Sequence, residues 1–168
     1  MEFDKVIRER QSTRKFKEEK VSDELINKIL EAGVIAPTAK NIQPEIIYVV
    51  KSEEGLKKID DVSPCRYKAP LCMVVCTKRD EAYKNGEHDT YQIDASIIAT
   101  HMILEATNLG VDSVWVELFD KQKFKDAFNL EENLEPIVML PLGYKTDDYP
   151  GSPNHNKRKD ISEVVREV

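Results

Sequence analysis

The spacing of apolar and polar residues changes several times along the chain, and each change marks an element. In FDKVIRER, Phe3, Val6, Ile7 and Arg10 share one helical face. Ser12, poorly suited to a helix interior, then opens an extended basic stretch, so a short first helix ends near Arg10. Ser22 followed by Asp23 and Glu24 is an N-cap with an acidic first turn, and Leu25, Ile26, Ile29, Leu30 and Gly33 carry a second helix up to Pro37. Glu45 to Lys51, rich in β-branched and aromatic residues, predicts a strand, and Leu71 to Thr77 reads the same way.

The longest periodic segment, about Gln92 to Leu109, predicts a central helix capped by Gly110. Ile93, Ile97, Ala99, Thr100, Leu104 and Thr107 lie on one broad face, and the helix is apolar almost all round. Val111 to Glu117 reads as a buried strand, Lys121 to Phe128 as an amphipathic helix, and Pro136 to Leu142 as a strand closed by Gly143. After Tyr144 the chain turns to Asp, Pro, Gly, Ser and Asn, and no core pattern returns before Ile161 to Val168. A tail this long calls for a packing surface outside the domain.

Composition narrows the picture. The 168 residues fit a single domain, 1–168, and 40% hydrophobic with 33% charged residues is the balance of a globular protein. With 31 acidic against 25 basic residues the net charge is −6, which opposes the phosphate neutralisation on which nucleic-acid binding depends. The N-terminus lacks the pattern of a signal peptide and no apolar run approaches the roughly 20 residues a bilayer demands, so the expected compartment is the cytoplasm. Cys65, Cys72 and Cys76 form no CxxC pair. On a strand Cys72 and Cys76 share a face, where small buried hydrophobes belong.

No GxGxxG or Walker loop is present, and Gly110 precedes a strand rather than opening a helix. His88, His101 and His155 are far apart in sequence and without metal-ligand spacing; His101, on the central helix, reads as a hydrogen-bonded core or interface group. No GxSxG elbow surrounds Ser12, Ser96 or Ser113. What remains is a set of cations near both chain ends of an acidic protein: Arg8, Arg10 and Arg14, then Lys157, Arg158 and Lys159. Composition alone reads these as a solvated basic face and tail; an anionic small ligand is the other account, since arginine forks fit phosphate oxygens and the Ser12 hydroxyl can donate beside them.

Four motifs in order tip the balance: RQSTRKF, APTAKNIQP after the second helix, LGVDSVWVELFD after the central helix, and LPLGY before the basic tail. Together they span nearly the whole chain and resemble the FMN-dependent nitroreductase family. The resemblance implies a three-layer α-β-α fold of the α+β class, with a central, mostly antiparallel mixed sheet flanked by helices. It also implies an intertwined homodimer with FMN at the interface, in which residues 145–168 form an extended, swapped tail that wraps the partner subunit.

The same resemblance implies a set of cofactor-binding residues. Arg10 and Ser12 hold the phosphate, Arg14 reaches the pyrimidine edge, and Gln11 supports the turn. Pro37, Thr38 and Asn41 contact FMN from the neighbouring subunit, with Gln43 at the same edge or orienting the loop. Val116, Glu117 and the Leu118 backbone N–H pass flavin N5, and Glu117 is an orienting group there in preference to a proton donor. Lys157 and Arg158 complete the phosphate grip. The implied activity is ping-pong hydride transfer from NADH or NADPH to nitroaromatic, quinone or similar electron-poor acceptors. Two other readings stand beside it: a flavin-binding carrier without turnover, and a specialised flavin enzyme such as a reductive dehalogenase. The chain departs from the family pattern at Leu118, where glycine is frequent, and at Glu45, where an aromatic is frequent.

Overall fold

The computed structural model describes residues 2–86 and 88–168. Helices α1 (Phe3–Glu9) and α2 (Asp23–Val34) precede strand β1 (Glu45–Val50), helix α3 (Glu53–Val62) and strand β2 (Leu71–Lys78). A short hairpin, β3 (Lys84–Asn85) and β4 (His88–Asp89), leads into the long helix α4 (Tyr91–Asn108). Then come β5 (Asp112–Ser113), α5 (Lys121–Phe128), β6 (Leu134–Gly143) and the one-turn helix α6 (Ile161–Val164). Ser22 caps α2 as its sequence predicts, its side chain accepting from the Leu25 amide.

The main sheet has the order β1-β2-β6-β5 with every neighbouring pair antiparallel. Alternation along β2 sends Leu71, Met73 and Val75 to a core shared with α2 and α4, and Cys72, Val74 and Cys76 to a second core that includes Phe124 of α5 and Ile59 of α3. The result is the three-layer α-β-α arrangement of an α+β fold. Both β6 prolines have local consequences. Pro136 sits where the β2–β6 register slips between Val75 and Cys76, a bulge that tolerates the missing N–H.

Pro141 explains a correction. The strand expected over Val111 to Glu117 is ordered as a ladder only at Asp112–Ser113 and again at Val116, whose amide and carbonyl both pair with Met139. Between them the Val114 amide donates to the Pro141 carbonyl at 3.1 Å, but proline has no N–H to return the bond. The register survives and the ladder does not.

Helix α4 is corrected too. Its buried side is Asp94, Ala95, Ile98, Ala99, Met102, Ile103 and Ala106, so Ala99 parts company with Ile93, Ile97, Thr100 and Leu104. Those four lie on another face, and Ile93 is 60% exposed. A helix apolar all round gives periodicity little to discriminate with. Helix α3 follows from the same rules as α2, with Ser52 accepting from the Gly55 amide and Ile59 and Val62 buried.

The tail corrects its expectation in part, because its first half packs on its own chain. The Lys17 amide donates to the Tyr144 carbonyl, Thr146 donates to Lys15, and Lys17 pairs with Asp147. Further on, the Tyr149 hydroxyl donates to the Ser12 carbonyl at 2.7 Å and His155 Nε2 to the Arg8 carbonyl at 2.9 Å. From residue 156 onward the tail is exposed throughout, including all of α6.

Candidate flavin site

The basic N-terminal segment is held between two strands of chain. A parallel bridge joins Ser12 to Ser113, the Thr13 amide donates to the Ser113 carbonyl, and Thr13 itself is fully buried. Asp112 clamps the other side. One of its oxygens accepts from the Thr13 hydroxyl at 3.4 Å and the other from the Lys145 amide at 2.9 Å. The tail thus returns along residues 17 to 8 and brings the second basic cluster to the first. Gly151, at φ +82, turns beside Gln11, whose Oε1 lies 3.2 Å from where a Cβ would stand.

This stitching puts Arg158 beside Arg10. Burial first, and then the positive charge of Arg158, pull the Arg10 guanidinium below its ordinary value. Arg10 is half-buried, and among the described residues neither arginine has a carboxylate within ion-pair distance. Among the described residues Arg158 bonds to the backbone carbonyls of Lys157 and Asn154. Ile7, Arg8, His155, Asn156 and Arg158 line an adjacent cleft of about 480 Å³. Lys157, next to Arg158 in sequence, is exposed. Two guanidiniums held together without an anion are a fitting cradle for a phosphate.

Arg14 lies two residues further along the bridge and faces the Tyr67 phenol. A hydrogen bond with Cys65 pushes that phenol up first, with burial adding to it and Arg14 working the other way. The segment after β5 then reaches Val116, buried and doubly paired to Met139, and Glu117 and Leu118, both exposed. The Phe119 amide donates to the Glu117 carbonyl in a tight turn around Leu118, and the buried Ser63 hydroxyl donates to the Leu118 carbonyl at 2.6 Å. That turn sends the Leu118 side chain outward, 69% exposed. Glu117 shares a cleft of about 460 Å³ with Ile93, Ile97, Thr100 and His101 of α4. His101 donates from Nδ1 to the Ile97 carbonyl, the hydrogen-bonded group its sequence position predicts.

The loop from Pro37 to Gln43 is elsewhere. Thr38 accepts the Gln43 amide on its hydroxyl and the Asn41 amide on its carbonyl, and the Gln43 side chain donates to the Asn41 carbonyl. Pro37, Asn41 and Gln43 are exposed, with Thr38 half-buried. The loop is tied to Asp94 in the first turn of α4, whereas the basic segment is tied to Asp112, just past the other end of that helix. Asp94 and Asn108 are roughly 21 Å apart along the axis at about 1.5 Å per residue. A single chain therefore brings Arg10, Ser12 and Arg158 together, sets Arg14 and Glu117 further along, and holds Thr38 and Asn41 far from the phosphate cradle.

Asp94, Asp112, Ser63, Tyr149 and His155 are the residues sequence reasoning missed here. Asp112 sits within the LGVDSVWVELFD motif and the others in none, and each matters through a partner distant in sequence. The Glu45 departure opens β1 opposite Thr77. Among the described residues no cluster of His, Cys, Asp and Glu gathers to hold a metal, and no helix is long and apolar enough to cross a membrane.

Comparison with known proteins agrees with this architecture. A model of the Nitroreductase family matches residues 7–67 and 63–144. A protein of Methanothermobacter thermautotrophicus, whose name proposes an NADH dehydrogenase or NAD(P)H nitroreductase, is 31% identical over 159 residues, covering 90% of this chain and 81% of that protein. The crystal structure of a nitroreductase family protein from Clostridium difficile 630 superposes with a TM-score of 0.92 at 36% identity, covering 99% of this chain and 98% of that one. A nitroreductase-fold protein of Exiguobacterium sibiricum solved in complex with FMN shares the fold, with a TM-score of 0.87 at 20% identity over 100% of this chain and 98% of its own. The chain belongs to the nitroreductase family and is an oxidoreductase.

Proposed function

We propose that the protein is an FMN-dependent oxidoreductase, a homodimer that binds flavin between subunits and passes electrons from NADH or NADPH to nitroaromatic, quinone or similar electron-poor acceptors. The observation that carries this reading is the pairing of half-buried Arg10 with Arg158, with no carboxylate partner for either among the described residues. Bound FMN would supply the chemistry itself, taking a hydride from a nicotinamide and handing electrons to the acceptor in a ping-pong cycle.

The residues bind and orient. Arg10, Ser12, Arg158 and Lys157 grip the phosphate, with Gln11 supporting the turn beside Gly151. Arg14 offers a fixed positive charge to the pyrimidine edge, favouring negative charge there without a proton. Val116 and Glu117 line the ring near N5, and the Leu118 amide faces it. Pro37, Thr38, Asn41 and Gln43 belong to the partner's site, because their distance from the basic segment in one chain is spanned by α4. Solvent enters the Glu117 cleft, so water supplies protons and Glu117 orients. Phe3 and Ile7 on α1 and Ile93 on α4 are exposed apolar side chains that a second copy would cover, with residues 156–168 wrapping its outside.

Purified protein saturated with FMN tests the reading. Anaerobic addition of NADH or NADPH should bleach the visible flavin band. Arg10→Ala combined with Ser12→Ala should weaken FMN binding by at least a hundredfold, given about 1.5–3 kcal/mol per hydrogen bond to a charged group. A band that neither nucleotide bleaches would favour the second reading, a flavin carrier without turnover, which the outward Leu118 side chain at a position where relatives often carry glycine also motivates.

A further inference from the structure

The loop between α2 and β1 carries an unusual concentration of backbone strain. Lys40, Asn41 and Gln43 have φ of 52°, 57° and 56°, the left-handed region that glycine fills most readily. Three such residues within four positions persist only where surrounding structure holds them. The hydrogen bonds from Gln43 and Asn41 to Thr38 stay within the loop and cannot fix it to the body of the protein.

The outside anchor is Asp94. Its carboxylate is 2% exposed, and one oxygen accepts from the Ala39 amide at 2.9 Å while the other accepts from the Thr90 hydroxyl at 3.0 Å. The Thr90 hydroxyl has one hydrogen and lies 3.0 Å from both the carboxylate and the Tyr83 carbonyl, which also accepts the Thr90 amide, so Thr90 ties Asp94 to the Tyr83 backbone. Lys40 adds a second tie, its ammonium 4.2 Å from the centre of the Tyr83 ring. A buried carboxylate is an expensive way to fill a helix face that Ala95, Ile98 and Ala99 otherwise pack with hydrocarbon. Its cost makes sense where the geometry it imposes is used.

We propose that Asp94 is a positioning residue: by holding the Ala39 amide it locks the Thr38–Gln43 loop in its left-handed conformation, so that Thr38 and Asn41 present fixed polar groups to the flavin ring. This role rests on the flavin reading given above. It acts at the ring and not at the phosphate, and that separates it from Arg10 and Arg158.

The test compares FMN with riboflavin, which lacks the phosphate, in wild type, Asp94→Ala, Asp94→Asn and Thr90→Val. Asp94→Ala should weaken both flavins by the same factor, about tenfold or more from loss of a charge-assisted hydrogen bond, shift the visible band of bound flavin, and speed exchange of the Ala39 amide. Asp94→Asn, which keeps an acceptor for that amide, should recover most of the affinity. Arg10→Ala should by contrast weaken FMN and spare riboflavin. Unchanged affinity for both flavins with an unchanged band in folded Asp94→Ala would overturn the role while leaving the flavin reading intact. If that variant does not fold, Thr90→Val decides: weaker binding of both flavins supports the role, and unchanged binding with unchanged Ala39 exchange overturns it. Failure of the wild type to take up either flavin would overturn the flavin reading, and this role with it.

Discussion

At the scale of single residues, burial decides chemistry more than residue type does. Cys72 and Cys76 lie on one face of β2 with no exposure, and burial pushes the Cys76 thiol up from its ordinary value of 9.0 to about 12, with Cys72 also raised. Native protein should therefore present a single accessible thiol to a thiol reagent, that of half-buried Cys65, and urea-unfolded protein three. The pH dependence follows in sign. The unfolded chain releases these protons near pH 9 while the native chain holds them toward about 12, so stability is intact below 9 and falls as pH rises through that window. Urea midpoints measured across it should fall less steeply when both cysteines are replaced by alanine. The core role of this pair was legible in the sequence because strand alternation alone places them together. Asp94 was not legible, because its meaning depends on an amide 55 residues away.

At the scale of elements, local signals carried far. Caps and apolar spacing locate α2, α4, α5, β1, β2 and β6, and the same rules fit α3, whose Ser52-Glu53-Glu54 start repeats that of α2. The failures have physical causes. The β5 ladder breaks because Pro141 on the opposite strand lacks an N–H, which no pattern within Val111 to Glu117 records. The buried face of α4 was misread because both its faces are apolar, one packed in the core and the other open. Helix α5 offers a test of how far the layers are independent. Phe124 is fully buried, with Tyr48, Phe119 and Phe128 ring centres 4.6 to 6.1 Å away. Phe124→Ala should cost about 3–5 kcal/mol in urea unfolding, yet leave exchange of the Ala39 amide in the folded protein unchanged, because that core lies across the sheet from α4 and its loop.

At the scale of the whole molecule, the candidate site is divided. The motifs fall at strand and helix junctions, but only the fold reveals that the tail returns to place Arg158 beside Arg10, and that α4 keeps the Asp94 loop away from both. These two facts support the proposal that each flavin is held by the basic segment of one subunit and the loop of the other. A mixed dimer tests it most directly. Chains carrying Arg10→Ala with Ser12→Ala, and chains carrying Thr38→Ala with Asn41→Ala, are unfolded together, refolded, and isolated as heterodimers by different tags. If the two halves of a site come from different subunits, the heterodimer keeps one intact site and binds one FMN with wild-type affinity, while both parent homodimers bind poorly. A heterodimer that binds no better than its parents would contradict the claim, since it would mean that both halves of each site belong to the same chain.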